Sequence, residues 1–80
     1  MPNKQKDRPR PTQNPILTRD QIVFGHPSEE EFARVLDFYR IKWRYEITTF
    51  PLQWDQNNNV TEAFSPDFYL EDEDLYVELT

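Results

Sequence analysis

The spacing of apolar residues changes once along this sequence, at about residue 40, and this change limits the folds open to the chain. Before it, apolar residues recur at i, i+3, i+4 and i+7: Phe32, Val35, Leu36 and Tyr39. That spacing gives a helix one apolar face, so we predict a helix over 28–40. After it, apolar and polar residues alternate from Ile41 to Thr48, which predicts a strand with one buried face. A helix followed by strands indicates an α/β fold.

The predicted helix has a start signal at Ser28-Glu29-Glu30-Glu31. This is the form of a capping box, in which the Ser28 hydroxyl accepts a hydrogen bond from the Glu31 amide and the Glu31 side chain reaches back. Three acids in the first turn also favour the helix dipole. Pro27 suits the turn that precedes the helix. We therefore expect the helix to begin at Ser28.

The rest of the chain predicts two hairpins. Pro51 ends or bends the first strand, because it has no N–H to donate to a sheet. Segments 52–54 and 60–64 flank the polar turn 55–59, in which Asn residues tolerate positive φ. Strands at 67–70 and 75–80 flank the acidic turn 71–74. The predicted architecture is one helix packed on a mixed or antiparallel β-sheet.

Length and composition set the domain organisation. The chain has 80 residues and no cysteine, so no disulfide can staple it. Four of the first ten residues are Lys or Arg, and the first 20 contain four prolines, which predicts a disordered basic arm over 1–20 before a domain over 21–80. No apolar run approaches the roughly 20 residues of a membrane span. The basic N-terminus has no apolar segment behind it, so we do not expect it to act as a secretory signal. We expect a cytoplasmic protein with no membrane partner.

The net charge of −6 is unevenly distributed. From Trp54 to Thr80 there is no basic residue, against eight Asp and Glu residues. Such a surface repels a phosphate backbone unless cations or the basic segments intervene. The acidic run Glu71-Asp72-Glu73-Asp74 lacks the spaced acids and central Gly of a calcium-binding EF-hand loop, so it is interpreted as a solvated turn.

Two acids are predicted to meet on one face of the last hairpin. Side chains alternate across a strand, so Asp67 faces away from Phe68, and Glu78 faces away from Val77. Pairing of the two strands brings Asp67 and Glu78 together. Two carboxylates that close repel each other, and a divalent cation relieves the repulsion. Because Mg²⁺ prefers a few oxygen ligands completed by water, we predict a Mg²⁺ or Mn²⁺ site there. The ordinary alternative is a turn cap and a solvated acid.

These residues also carry a resemblance. Pro66-Asp67 followed by Glu78-Leu79-Thr80 resembles the signature of the PD-(D/E)XK, or restriction-endonuclease-like, nucleases, and the order of elements over about residues 28–80 is similar to the opening of their core. The resemblance implies a restriction-endonuclease-like core, incomplete in this chain. It also implies hydrolysis of phosphodiester bonds in DNA or RNA, with Asp67 and Glu78 binding the catalytic metal.

Two further positions of the motif are less regular. The resemblance implies an assisting Glu on the first helix, and Glu29 is favoured over Glu30 and Glu31 because it lies nearest the apolar stripe on a helical wheel. The family's Lys, two residues after the motif Glu, is replaced by Thr80. A hydroxyl can hold a water but brings no positive charge to a developing oxyanion. The candidate catalytic residues are therefore Asp67, Glu78, Glu29 and Thr80, with an inactive relative as the alternative.

A second resemblance covers the run from Phe24-Gly25-His26-Pro27 to Glu78-Leu79-Thr80. It is similar to the N-terminal extension of some bacterial hypoxanthine phosphoribosyltransferases. The alternative function is therefore a degenerate nuclease-like extension that serves interaction or regulation on a purine phosphoribosyltransferase. The expected partners are DNA or RNA, a C-terminal enzyme domain outside this chain, or a second copy in a homodimer.

Overall fold

The computed structural model describes residues 8–80, and this part of the chain forms an α/β fold with one α-helix. In chain order the elements are β1 (Thr12–Gln13), a 3-10 helix (Arg19–Gln21), α1 (Pro27–Phe38), β2 (Trp43–Tyr45), β3 (Thr48–Trp54), β4 (Val60–Phe64), β5 (Phe68–Leu70) and β6 (Leu75–Val77). The strands form two antiparallel three-stranded sheets, ordered β1-β3-β4 and β2-β5-β6. The α/β class and antiparallel pairing are as predicted, but two small sheets replace the single sheet.

The core lies between α1 and the sheet β2-β5-β6. Phe68 is fully buried at its centre, and its ring packs edge-to-face against three others: Phe32, Trp43 and Tyr45. Ala33 and Leu36 bring the inner face of α1 onto Phe68 and Leu70. The period-3.6 stripe and the alternation of the strands thus meet at one aromatic cluster, and hydrophobic burial there is the main stabilising term.

The sheet β1-β3-β4 contains the predicted first hairpin. Asp55 accepts hydrogen bonds from the backbone amides of Asn57 and Asn59, and Asn58 takes φ 65°, so the polar turn closes as its composition predicts. Pro51 lies inside β3 opposite Ala63, and the register shifts immediately after it. Pro51 therefore bends the strand instead of ending it.

The single strand predicted from Ile41 to Thr48 is wrong. It divides into β2 and β3, which belong to different sheets. The break is at Glu46, whose φ of 45° is left-handed and turns the chain. The Glu46 N–H then donates to the Asp67 carbonyl at 3.0 Å, outside the regular β2–β5 ladder. Period-two alternation continues through this break, so the sequence pattern does not reveal it.

The predicted capping box is also wrong. α1 begins at Pro27, and His26 is its N-cap, with no capping bond from its side chain. Pro is well suited to the first helical position because the N–H it lacks would have no partner within the helix. Ser28 therefore lies inside the first turn. Glu29 lies in the same first turn and is buried.

The N-terminal segment is partly attached to the fold. Residues 1–7 of the predicted disordered arm lie outside the described residues. Within residues 8–20, Thr12–Gln13 pair with β3, which differs from a free arm. Phe24 then docks by its ring against Trp43, Tyr45 and Phe68. No helix among residues 8–80 is long and apolar enough to cross a membrane.

Candidate functional site: an acidic cluster beside the last hairpin

Asp67 directly precedes β5 and Glu78 directly follows β6, and the two residues lie side by side. The register pairs Phe68 with Val77, which sets the residue before β5 opposite the residue after β6. The Glu78 Oε1 accepts a hydrogen bond from the Asp67 amide at 3.2 Å, and the Asp67 Oδ2 accepts one from the Leu79 amide at 2.9 Å. Each carboxylate is thus held by the backbone of the other strand. The predicted neighbourhood of these two acids is confirmed.

These two hydrogen bonds use only one oxygen of each carboxylate. Asp67 Oδ1 and Glu78 Oε2 accept no hydrogen bond from the described residues. Asp67 is buried, with 7% of its surface exposed, whereas Glu78 is exposed. Nor does either acid belong to an ion pair between described residues, where the three pairs are Arg19–Asp37, Arg34–Glu30 and Arg44–Glu71. A buried carboxylate without a cationic neighbour is costly, which is a condition that a bound cation relieves.

Glu29 reaches the same region from the first turn of α1. Only 5% of it is exposed, while Glu30 and Glu31 face solvent, which is the placement that the helical wheel predicts. Its Oε1 accepts hydrogen bonds from the Tyr45 hydroxyl at 2.5 Å and from the Gly25 amide at 3.1 Å. Glu29 is therefore fixed in place, and its role toward a metal stays a prediction.

Tyr45 was not singled out as a site residue by the sequence. Its ring belongs to the core, but its hydroxyl holds Glu29. Burial, followed by the hydrogen bond to Glu29, raises the pKa of the Tyr45 phenol above its usual range. The phenol therefore remains a proton donor to the carboxylate. Strand alternation indicates a buried Tyr at this position, but no local pattern predicts its polar partner.

Glu46 is the fourth acid of the region, and the sequence pattern did not predict its position near the other three. Alternation grouped it with Lys42 and Arg44 on a solvated strand face. Glu46 is indeed exposed, but partial desolvation and the charges of Glu29, Asp67 and Glu78 raise the pKa of its carboxyl. We call these four residues the acidic cluster: Glu29, Glu46, Asp67 and Glu78. Only the left-handed turn at Glu46 brings this residue to the cluster, and its sequence carries no signal for such a turn.

The acidic cluster does not converge on a single point. Among residues 8–80, no group of three or more His, Cys, Asp or Glu residues is arranged to hold a metal ion. The arrangement offers instead a pair of ligands, Asp67 and Glu78, with two further negative charges nearby. A pair of carboxylate oxygens with water completing the shell is compatible with Mg²⁺, which usually retains several waters. Binding of Mg²⁺ by this pair stays a prediction.

Thr80 stands two residues after Glu78 and is exposed. It lines a groove together with Glu78, Leu79 and the outer side of α1, so its hydroxyl is open to water. Its position agrees with the spacing of the motif, and its lack of charge remains the point at which the motif departs from the nuclease pattern.

Comparisons of the chain with protein-family models, with curated proteins and with solved structures gave no significant match.

Proposed function

We propose that residues 21–80 form part of a divalent-metal-dependent, restriction-endonuclease-like domain that acts on DNA or RNA. The observation that carries the proposal is the mutual anchoring of Asp67 and Glu78, which presents two carboxylates side by side without a cationic neighbour among the described residues. Asp67 and Glu78 would hold Mg²⁺ or Mn²⁺. Glu29 and Glu46 would add negative charge that strengthens cation binding.

A cation bound there would lower the pKa of a coordinated water and stabilise charge on a phosphoryl oxygen. The residues of the chain would supply the geometry. Backbone bonds from Leu79 and Asp67 fix the two ligands, and the Tyr45 hydroxyl keeps Glu29 turned inward. The Thr80 hydroxyl would position a water by hydrogen bonding, without the charge that a Lys would provide.

Cation binding tests this proposal directly. At ten times the dissociation constant, Mg²⁺ or Mn²⁺ adds about 1.4 kcal/mol to the free energy of unfolding, which is a rise of several degrees in the melting temperature. Asp67→Asn should abolish this rise. The substitution keeps an oxygen that can accept from the Leu79 amide, so the fold is retained while a ligand charge is lost.

Asp72→Asn provides the matched control. It removes the same charge from the exposed acidic turn, away from the pair, and the metal-dependent rise should persist. Equal loss of the rise in both variants would reduce the effect to general charge screening. Absence of any rise in the unaltered chain would remove the basis of the proposal.

A second candidate, a degenerate nuclease-like extension used for interaction or regulation on a purine phosphoribosyltransferase, is favoured by two observations. Thr80 replaces the charged motif residue, and the segment 54–80 has no basic residue to meet a phosphate backbone. Incubation of the chain with plasmid DNA and with RNA in Mn²⁺ separates the two candidates. Cleavage that Asp67→Asn abolishes supports the nuclease, whereas metal binding with every substrate left intact supports the extension.

A further inference from the structure

An open groove lies between α1 and residues 78–80, which directly follow the strand β6. β6 is an edge strand, and β5 is its only partner among the described residues. The groove, of about 550 Å³ at the β6 end, is lined by Phe32, Val35 and Leu79 among others. Its apolar lining continues along α1, because Val35 and Phe38 also line the adjoining surface depression.

The apolar surface of this groove is larger than single exposed residues would give. On α1, 48% of Val35 and 77% of Phe38 are exposed. Leu75 on β6, which lines neither the groove nor the depression, is also 52% exposed. Val77 and Leu79 are half-buried against the core from the same side of the strand. A free strand edge beside an apolar helix flank is the arrangement that accepts an additional strand.

The charges around the groove indicate what kind of additional strand would bind there. The groove is bordered by the acidic turn 71–74 at one end of β6, by Glu78 at the other end and by Glu31 on α1. Arg34 is the one cation lining the groove or the adjoining depression in the described chain, and it is paired with Glu30 at 3.6 Å. The border is therefore negative, and a segment carrying Lys or Arg complements it.

The same charges disfavour a second copy of this chain. Antiparallel pairing of β6 with β6 of another copy would set the acidic turn of one against Glu78 of the other. Parallel pairing would set the two acidic turns together. Like charges placed opposite each other on strands are destabilising, so self-pairing at this edge is opposed in either direction.

We propose that the α1–β6 groove binds an extended segment of a partner protein in which apolar residues alternate with Lys or Arg. The segment would pair with β6 by backbone hydrogen bonds over residues 75–79, a length of about 17 Å. Its apolar side chains would lie on Val35, Phe38 and Leu79, and its cations would face Glu31, Glu78 and the acidic turn.

The test measures binding of a fluorescently labelled peptide of alternating Val and Lys to the full chain by anisotropy. A matched peptide with Glu in place of Lys should bind at least about tenfold more weakly, because its charges meet like charges. The double variant Val35→Ser/Phe38→Ser should also bind the Lys peptide at least about tenfold more weakly. Both side chains are exposed, so the variant keeps its fold, which circular dichroism verifies.

Val23→Ser is the control for exposed apolar residues, since Val23 is 87% exposed and lies outside the groove, and its binding should match the unaltered chain. Hydrogen exchange should slow at Tyr76 and Glu78 when the Lys peptide binds, because backbone amides alternate in direction along a strand and the Leu79 amide already donates to Asp67. Equal binding of both peptides, unchanged binding by the double variant, or protection at another edge strand (β1, β2 or β4) instead of β6 would overturn the proposal. A dimer in sedimentation equilibrium that the double variant loses would assign the groove to a second copy and also overturn it.

Discussion

Glu46 combines an unfavourable backbone conformation with an unfavourable charge environment. Its φ of 45° lies in the left-handed region, which costs a residue with a side chain about 1 kcal/mol or more. Its carboxyl also lies near Glu29, Asp67 and Glu78, whose charges disfavour its ionised form.

Glu46→Gln should raise the free energy of unfolding at pH 7 by up to about 1 kcal/mol, the range for screened, partly exposed charges. The folded-state pKa of Glu46 is raised above its unfolded value, so its ionisation destabilises the folded state. That penalty is complete above the folded pKa and absent below the ordinary Glu pKa. The advantage of the variant should therefore shrink as pH falls through this window, as urea unfolding at pH 7 and pH 4 would measure.

Glu62→Gln on the exposed strand β4 is the control for this prediction. It removes the same charge far from the acidic cluster, so it should change the unfolding free energy little at either pH. A gain for Glu46→Gln that is equal at pH 7 and pH 4 would show that side-chain volume, not charge, is responsible.

At the scale of elements, the end of α1 is a Schellman motif with an unusual residue. The Ile41 amide donates to the Leu36 carbonyl at 2.9 Å and the Arg40 amide to the Asp37 carbonyl at 3.0 Å, which are the two bonds of the motif. Arg40 takes φ 59° at the position that Gly usually occupies. The helix thus ends with a residue whose Cβ opposes the required conformation.

Arg40→Gly should stabilise the fold by about 0.5–1 kcal/mol, because relief of the left-handed strain exceeds the added entropy of Gly in the unfolded chain. Arg34→Gly, the same change inside α1, should destabilise it by about 1 kcal/mol, since Gly is a poor residue for a helix interior. Thermal and urea unfolding of the two variants would measure this difference. Destabilisation by Arg40→Gly would contradict the strain argument.

The local sequence pattern predicts a helix or a turn well where a single local preference determines the structure. The stripe Phe32–Leu36 and the turns 55–59 and 71–74 were found because helical spacing, Asn-rich composition and acidic solvation act within a few residues. The capping box failed because Ser28 and Pro27 both fit a helix start, and Pro27 took the first position. The long strand failed because a left-handed Glu46 has no sequence signature.

The same division holds for the acidic cluster. Asp67 and Glu78 could be paired from the sequence, because alternation and one short turn determine which residues of a hairpin meet. The inward placement of Glu29 on α1 could be predicted from the helical wheel. The hydroxyl of Tyr45 and the approach of Glu46 depend on contacts between the helix, the sheet and the corner at residue 46, which no local spacing describes.

At the scale of the whole molecule, the described chain is elongated, with extents of 52 × 24 × 22 Å. Among the described residues, sheet β1-β3-β4 contributes none of the buried apolar side chains, which lie on α1 and on β5 of the other sheet. A chain of this size buries a smaller share of its surface than a large domain and has a correspondingly small stability. Its cooperative folding therefore depends on a few side chains, with Phe68 at their centre.

Phe68→Ala should remove most of that stability. Truncation of a buried Phe costs about 3–5 kcal/mol, against a total of about 4–12 kcal/mol expected for a chain of 80 residues. Phe38→Ala deletes the same atoms from a side chain that is 77% exposed, so it should change the free energy of unfolding by about 0.5 kcal/mol or less. Urea unfolding followed by far-ultraviolet circular dichroism would compare them. A mild effect of Phe68→Ala would mean that the aromatic cluster is not the centre of cooperativity. Loss of the Phe68 ring should also displace Tyr45 from Glu29 and so disturb the acidic cluster.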